Sequence, residues 1–145
     1  MVSILLGVIA GLIGGIAAGL QAPFAGLMGQ RVGDLGSVFF TYVGGGLLIT
    51  MITLLTGGSH LTAWRSVPWY AFLAGPLGLV IIASLSYTVP RLGAAAASTL
   101  FVAAWLILSL IFDQFGWLGV AQRSLDGVRW LGVAALLVGT WLVVR

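Results

Sequence analysis

The side chains that could do chemistry are few, and most of them stand apart from one another. Charge is confined to Arg31, Asp34, Arg65, Arg91, Asp113, Arg123, Asp126, Arg129 and Arg145, with no lysine and no cysteine. Without cysteine there are no disulfides and no thiolate metal ligands, and the lone His60 cannot form a metal cluster. There is no pair of carboxylates, no Ser/His/Asp set and no phosphate-cradling glycine loop, because the glycines fall inside apolar runs. An enzyme is therefore not expected, and neither is a cofactor. What is left suits solute recognition in a membrane. Gln21 lies two residues before Pro23, so a polar amide and a backbone loosened by proline coincide within an apolar run. Trp105 lies past the middle of another such run, where its ring could face a cavity and offer stacking or a cation-attracting face. Ser98, in a small-residue stretch before it, is a further candidate for a cavity wall. Asp113 borders the end of the same run, where a carboxylate could couple transport to protons or, more blandly, cap a turn.

The elements that must hold these residues are membrane helices. The chain has 145 residues, of which 61% are hydrophobic and 6% charged. Soluble domains carry about a quarter charged residues, so a water-soluble fold is excluded. The uncharged runs are long enough to cross a hydrocarbon layer about 30 Å thick, which takes about 20 helical residues. Five spans are predicted within a single transmembrane domain, at about residues 3–28, 35–56, 67–88, 92–112 and 128–144. A cleaved signal peptide is disfavoured, because no basic segment precedes the first apolar run and that run is too long. In the first span Gly7, Gly11, Gly15 and Gly19 recur every four residues and cut a groove along one helix face, into which a second backbone can settle. A break or tilt is expected near Pro23. Gly44, Gly45 and Gly46 permit close approach or unwinding in the second span, Pro76 is expected to kink the third, and Gly93 begins a small-residue packing surface on the fourth.

Five spans put the two termini on opposite sides of the membrane. Arg65, Arg123 and Arg129 then fall on the N-terminal side, and Arg31, Arg91 and Arg145 on the other. An even division gives the chain no strong instruction about which way to insert. The arginines are scattered over the loops instead of lining one face, which reads as anchoring at the membrane edge and not as nucleic-acid binding.

The pieces Gln21-Ala22-Pro23, Gly29-Gln30-Arg31-Val32-Gly33, Val89-Pro90-Arg91-Leu92-Gly93-Ala94-Ala95, Asp113-Gln114-Phe115-Gly116 and Leu131-Gly132 with Gly139 occur in this order over nearly the whole length. In them the chain resembles the YdcZ-like, five-helix branch of the drug/metabolite transporter superfamily. The resemblance implies a multi-pass protein of the inner membrane that equals half of the ten-helix transporters. Those relatives contain two inverted repeats, so the short chain is expected to pair antiparallel with a second copy or with a paralogue of similar length, with membrane lipid around it. Ala25 stands where that family usually has Asn, and Ala104-Trp105 where Gly-Gln is common; a paralogue could supply the missing polar groups. The function implied is transport of a small organic solute through a cavity at the dimer midplane. The alternatives are a non-transporting scaffold or accessory subunit, or a narrow channel.

The arginine balance yields a test. Two arginines added within residues 57–66 should hold most chains in one orientation. Single cysteines at Ser59 and Gln30, labelled from each side of the membrane, should report both orientations for the native chain and one for the charged variant. A uniform native orientation would exclude the dual-topology homodimer and leave the heterodimer.

Overall fold

The computed structural model describes residues 2–58, 61–124 and 126–145; Ser59 and His60 lie outside the described residues. The protein is all-α, and among the described residues there is no strand. The chain falls into two compact units, Met1–Arg91 and Leu92–Arg145.

The first unit begins with one long helical run, Val2–Leu55, which is two helices meeting at Gly33: α1 over residues 2–32 and α2 over residues 34–55. Gly33 has φ 78° and ψ 162°, a combination open to glycine and strained for any residue with a Cβ. The loop expected between the first two spans is thus a single-residue elbow. α1 runs through Pro23 without leaving helical geometry, and the break lies at Gly33 instead. Proline's φ is compatible with a helix and its cost is local, whereas a positive φ cannot be absorbed. The glycines at 44–46 also stay helical within α2.

Beyond the elbow α2 folds back along α1, and the Ser37 hydroxyl donates to the Ala25 carbonyl at 3.0 Å. After two 3-10 turns, Leu61–Ser66 and Trp69–Leu73, comes α3, Ala74–Leu92. The third helix is displaced toward the C-terminus from its expected range: the first residues make 3-10 turns, and Pro76 sits in the opening turn, where a missing N–H costs nothing. At the other end Pro90 is accommodated in the last turn.

α3 packs against the α1–α2 pair. Ala22 and Ala25 of α1 are buried with Ile82 and Leu85 of α3, flanked by Val38 and Val89. The helices come this close because α1 offers glycine at the contact. A Cβ on Gly26 would lie 2.8 Å from Val89 Cγ1, and one on Gly29 would overlap the Ser86 hydroxyl. The glycines expected to carry packing behave differently. Around Gly7, Gly11, Gly15 and Gly19 an added Cβ would meet nothing within 4 Å, so the groove is unfilled by the described residues of this chain.

The second unit is a helical pair, α4 (Ala94–Phe115) and α5 (Gly127–Val144), packed on each other; Ala96, Ala97, Ala103, Val133 and Thr140 are buried. Gly93, the expected packing residue, starts α4 with φ 85° and ψ 158°, almost the geometry of Gly33. Gly116 ends α4 in the left-handed conformation, its N–H bonded to the Phe112 carbonyl at 2.8 Å. Asp126 caps α5 by accepting from the Arg129 N–H at 2.9 Å.

The two glycine sets should respond differently. Gly26→Leu forces a side chain into the α1–α3 contact and should destabilise the folded chain by about 1–3 kcal/mol or more. Gly11→Leu enters open space, so it should leave the thermal unfolding of the monomer unchanged and reduce only association between chains. Thermal melts with size-exclusion profiles in mild detergent check both outcomes.

Candidate functional site

The first unit contains a recess of about 520 Å³ on the side where α2 meets α1 and α3. Gln21 reaches it from α1, and Thr41, Tyr42, Gly45, Gly46 and Ile49 line it from α2 at helical spacing. Gly78, Ile81 and Ile82 close it from α3. Gly78 is where a Cβ would overlap the Tyr42 hydroxyl, so its lack of a side chain lets the Tyr42 phenol lie across α3. Gly45 and Gly46 have nothing within 4 Å of a notional Cβ, leaving a bare stretch of backbone as the floor. The Thr41 hydroxyl is enclosed yet has no hydrogen-bond partner among the described residues.

The depth of the recess follows from its distance along the helices. Gln21 lies about ten residues before Arg31, and Ile81 about ten before Arg91, or ~15 Å at the helical rise. With the two arginines at the membrane edge, that is half of the ~30 Å hydrocarbon layer. Among the described residues no charged side chain lines the recess, and it has the size common for small-molecule sites, about 300–1,000 Å³.

At the elbow end of the same unit is a smaller, polar pocket of about 310 Å³, lined by Gln30, Asp34, Ser86 and Arg91 among others. The Ser86 hydroxyl donates to Asp34 Oδ1 at 2.7 Å, tying α3 to the first turn of α2. Arg91 donates from Nη1 to the Tyr87 carbonyl at 2.6 Å and holds its guanidinium 3.5 Å from the Tyr87 ring centre. Arg65 with Trp64 and Arg145 with Trp141 form similar pairs, the pattern expected of residues anchored where the membrane meets water.

The remaining sequence candidates belong to the second unit, apart from Pro23, which is half-buried in α1 beside Ala22. Ser98 is half-buried on α4 next to the buried Ala97. Trp105 is exposed and lines a depression of about 300 Å³ with Val102, Leu106 and Ser109. Asp113 faces Arg129 at 3.6 Å, a cation that the sequence reading did not bring to it, while the Asp113 carbonyl accepts from the Arg123 N–H at 2.7 Å. Both side chains of the ion pair are about a third exposed, which limits what the pair contributes to stability.

Residues 6–142 match a family model described as "Putative inner membrane exporter, YdcZ". The chain belongs to the YdcZ family. No curated protein and no solved structure matches it. As a YdcZ-family chain with several helices long and apolar enough to cross a bilayer, it is a multi-pass membrane protein of a family described as exporters, which is not an enzyme class. Among the described residues, no three His, Cys, Asp or Glu side chains come together as a metal site.

For this YdcZ chain the sequence singled out Gln21, which lines the recess, but not its neighbours there, Thr41 and Tyr42, which lie beside the glycine triplet on α2 and look like ordinary span residues. It also placed Asp34 in a loop, when Asp34 in fact joins two helices. The repeated Arg-apolar-Gly at Arg31-Val32-Gly33 and Arg91-Leu92-Gly93 was a signal that could have located both elbows. Ser86→Ala should remove the cross-helix bond and lower stability by about 1 kcal/mol. Adding Asp34→Ala to it should cost less than the sum of the two single changes, because they share one interaction. Unfolding of the four proteins in one detergent measures that coupling.

Proposed function

We propose that the chain carries a small organic solute across the inner membrane, binding it in the Gln21–Thr41–Tyr42 recess and working as an antiparallel dimer. The observation that carries this reading is the recess itself: a cavity lined by an amide and a phenol, set in otherwise apolar helices. Polar groups in a membrane interior are costly and mark solute pathways. The recess is open on one side, so a second copy inserted upside down would supply the missing wall, as inverted repeats do in longer transporters. Two further features favour pairing. The glycine groove of α1 is unfilled by the described residues of this chain, and a five-span topology divides the arginines evenly between the two faces.

The unfilled groove also favours a second reading, in which this face binds a different membrane protein and nothing is transported. Reconstitution separates the two. Proteoliposomes holding the purified chain should show counterflow of at least one labelled solute from a panel of small organic compounds. Gln21→Leu should cut that rate at least tenfold while leaving the protein folded. No counterflow with any solute, together with copurification of one unrelated membrane protein, would favour the scaffold.

A further inference from the structure

The second half of α1 with α2 and the pair α3 and α4 stand sixty residues apart: α2 covers 34–55 and α4 Ala94–Phe115, while α1 ends at 32 and α3 at Leu92. The two elbows, Arg31-Val32-Gly33 and Arg91-Leu92-Gly93, are sixty residues apart and share one backbone geometry, φ/ψ of 78°/162° and 85°/158°. Over residues 21–30 and 81–90 the order of exposed, half-buried and buried positions is the same at every place. The contacts between these two stretches are reciprocal: Gly26 meets Val89, and Gly29 meets Ser86, each pair joining one position to the counterpart of the other. That is the signature of a two-fold relation between α1 and α3. The match continues along the helices that follow. Tyr42, Gly45, Gly46 and Ile49 line the recess on α2, and Val102, Trp105, Leu106 and Ser109, each sixty residues on, line the depression on α4.

At one position the two faces differ sharply. Trp105 on α4 corresponds to Gly45 on α2, so the space that one face gives to an indole the other leaves empty. We propose that the recess takes a planar aromatic ring laid on the Gly45–Gly46 backbone, carried by a solute with a neutral polar head. Two bare glycines make a flat floor, Ile49 and Ile82 give apolar walls, and about 520 Å³ leaves room beyond one ring. The head meets the Gln21 amide. A charged head finds no counter-ion there, since no charged side chain lines the recess, and burying it unpaired among apolar helices is costly. This proposal rests on the reading of the recess as the solute site and adds the class of solute.

Indole-3-acetamide is a suitable probe, a planar ring with an uncharged amide. Equilibrium dialysis of the labelled compound against the full chain in lipid nanodiscs, with empty nanodiscs as background, should show saturable binding. Tryptamine and indole-3-acetate, with charged heads, should bind at least tenfold more weakly, and so should cyclohexylacetamide, which lacks the planar ring. Gly45→Trp rebuilds on α2 what α4 already has and should lose binding at least tenfold. Gly45→Ala, which favours the helix and meets nothing within 4 Å, keeps the fold secure and should lose binding by a smaller factor, about two- to fivefold. Absence of saturable binding, equal binding by cyclohexylacetamide, or binding untouched in both Gly45 variants overturns the proposal. Binding seen only after Trp105→Ala also overturns it, because the recess would then hold the indole of a second copy. Counterflow of another solute that needs Gln21, without binding of the probe, rejects the aromatic class and leaves the transport reading standing. Binding as expected without counterflow supports the site and rejects transport.

Discussion

Close approach of α1 and α3 at Gly26 and Gly29 is the constraint on which the first unit depends. In lipid, apolar side chains gain little by meeting each other, because the hydrocarbon around them is just as apolar. Association must come from dense contact and from polar groups that lipid cannot satisfy. Glycine at positions 26 and 29 supplies the first, letting Val89 and Ser86 reach the α1 backbone. Ser86 with Asp34 and Ser37 with Ala25 supply the second. These few contacts set the register of α1, α2 and α3, and the recess exists only in that register.

The recess and the contact have opposite requirements, and the helices meet them at different heights. Near the elbows the side chains are small and interlocked, with Ala22, Ala25, Ser37 and Ser86 all buried. Further from the elbows α2 carries Gly45 and Gly46, no side chain fills the space, and the helices stand apart around Gln21. The glycine groove of α1, still farther from the elbow, is a surface of the same smooth kind with no occupant from the described residues of this chain.

Much of this was legible in the sequence. Composition and the length of the uncharged runs together determined an all-helical membrane protein, since runs of about 20 apolar residues suit spanning helices and not the shorter, alternating strands of a barrel. The spacing of the charges pointed to several apolar helices, with the third expected at 67–88 and found at Ala74–Leu92, and Gln21 could be singled out as a polar group within an apolar run. What spacing could not determine was which glycines pack and which stay open. Glycines at helical spacing look alike in one dimension, and only the fold shows that Gly26 and Gly29 meet α3 while Gly7, Gly11, Gly15 and Gly19 meet none of the described residues within 4 Å. The same holds for Gly33: a loop was expected there from Arg31 and Asp34, and a single positive φ does the work of a loop. Thr41, Tyr42 and the Asp34–Ser86 bond were also decided by tertiary structure, because each depends on a partner some forty or more residues away or on another helix, and hydrophobic periodicity reports only which face of a helix is apolar, not what stands opposite it.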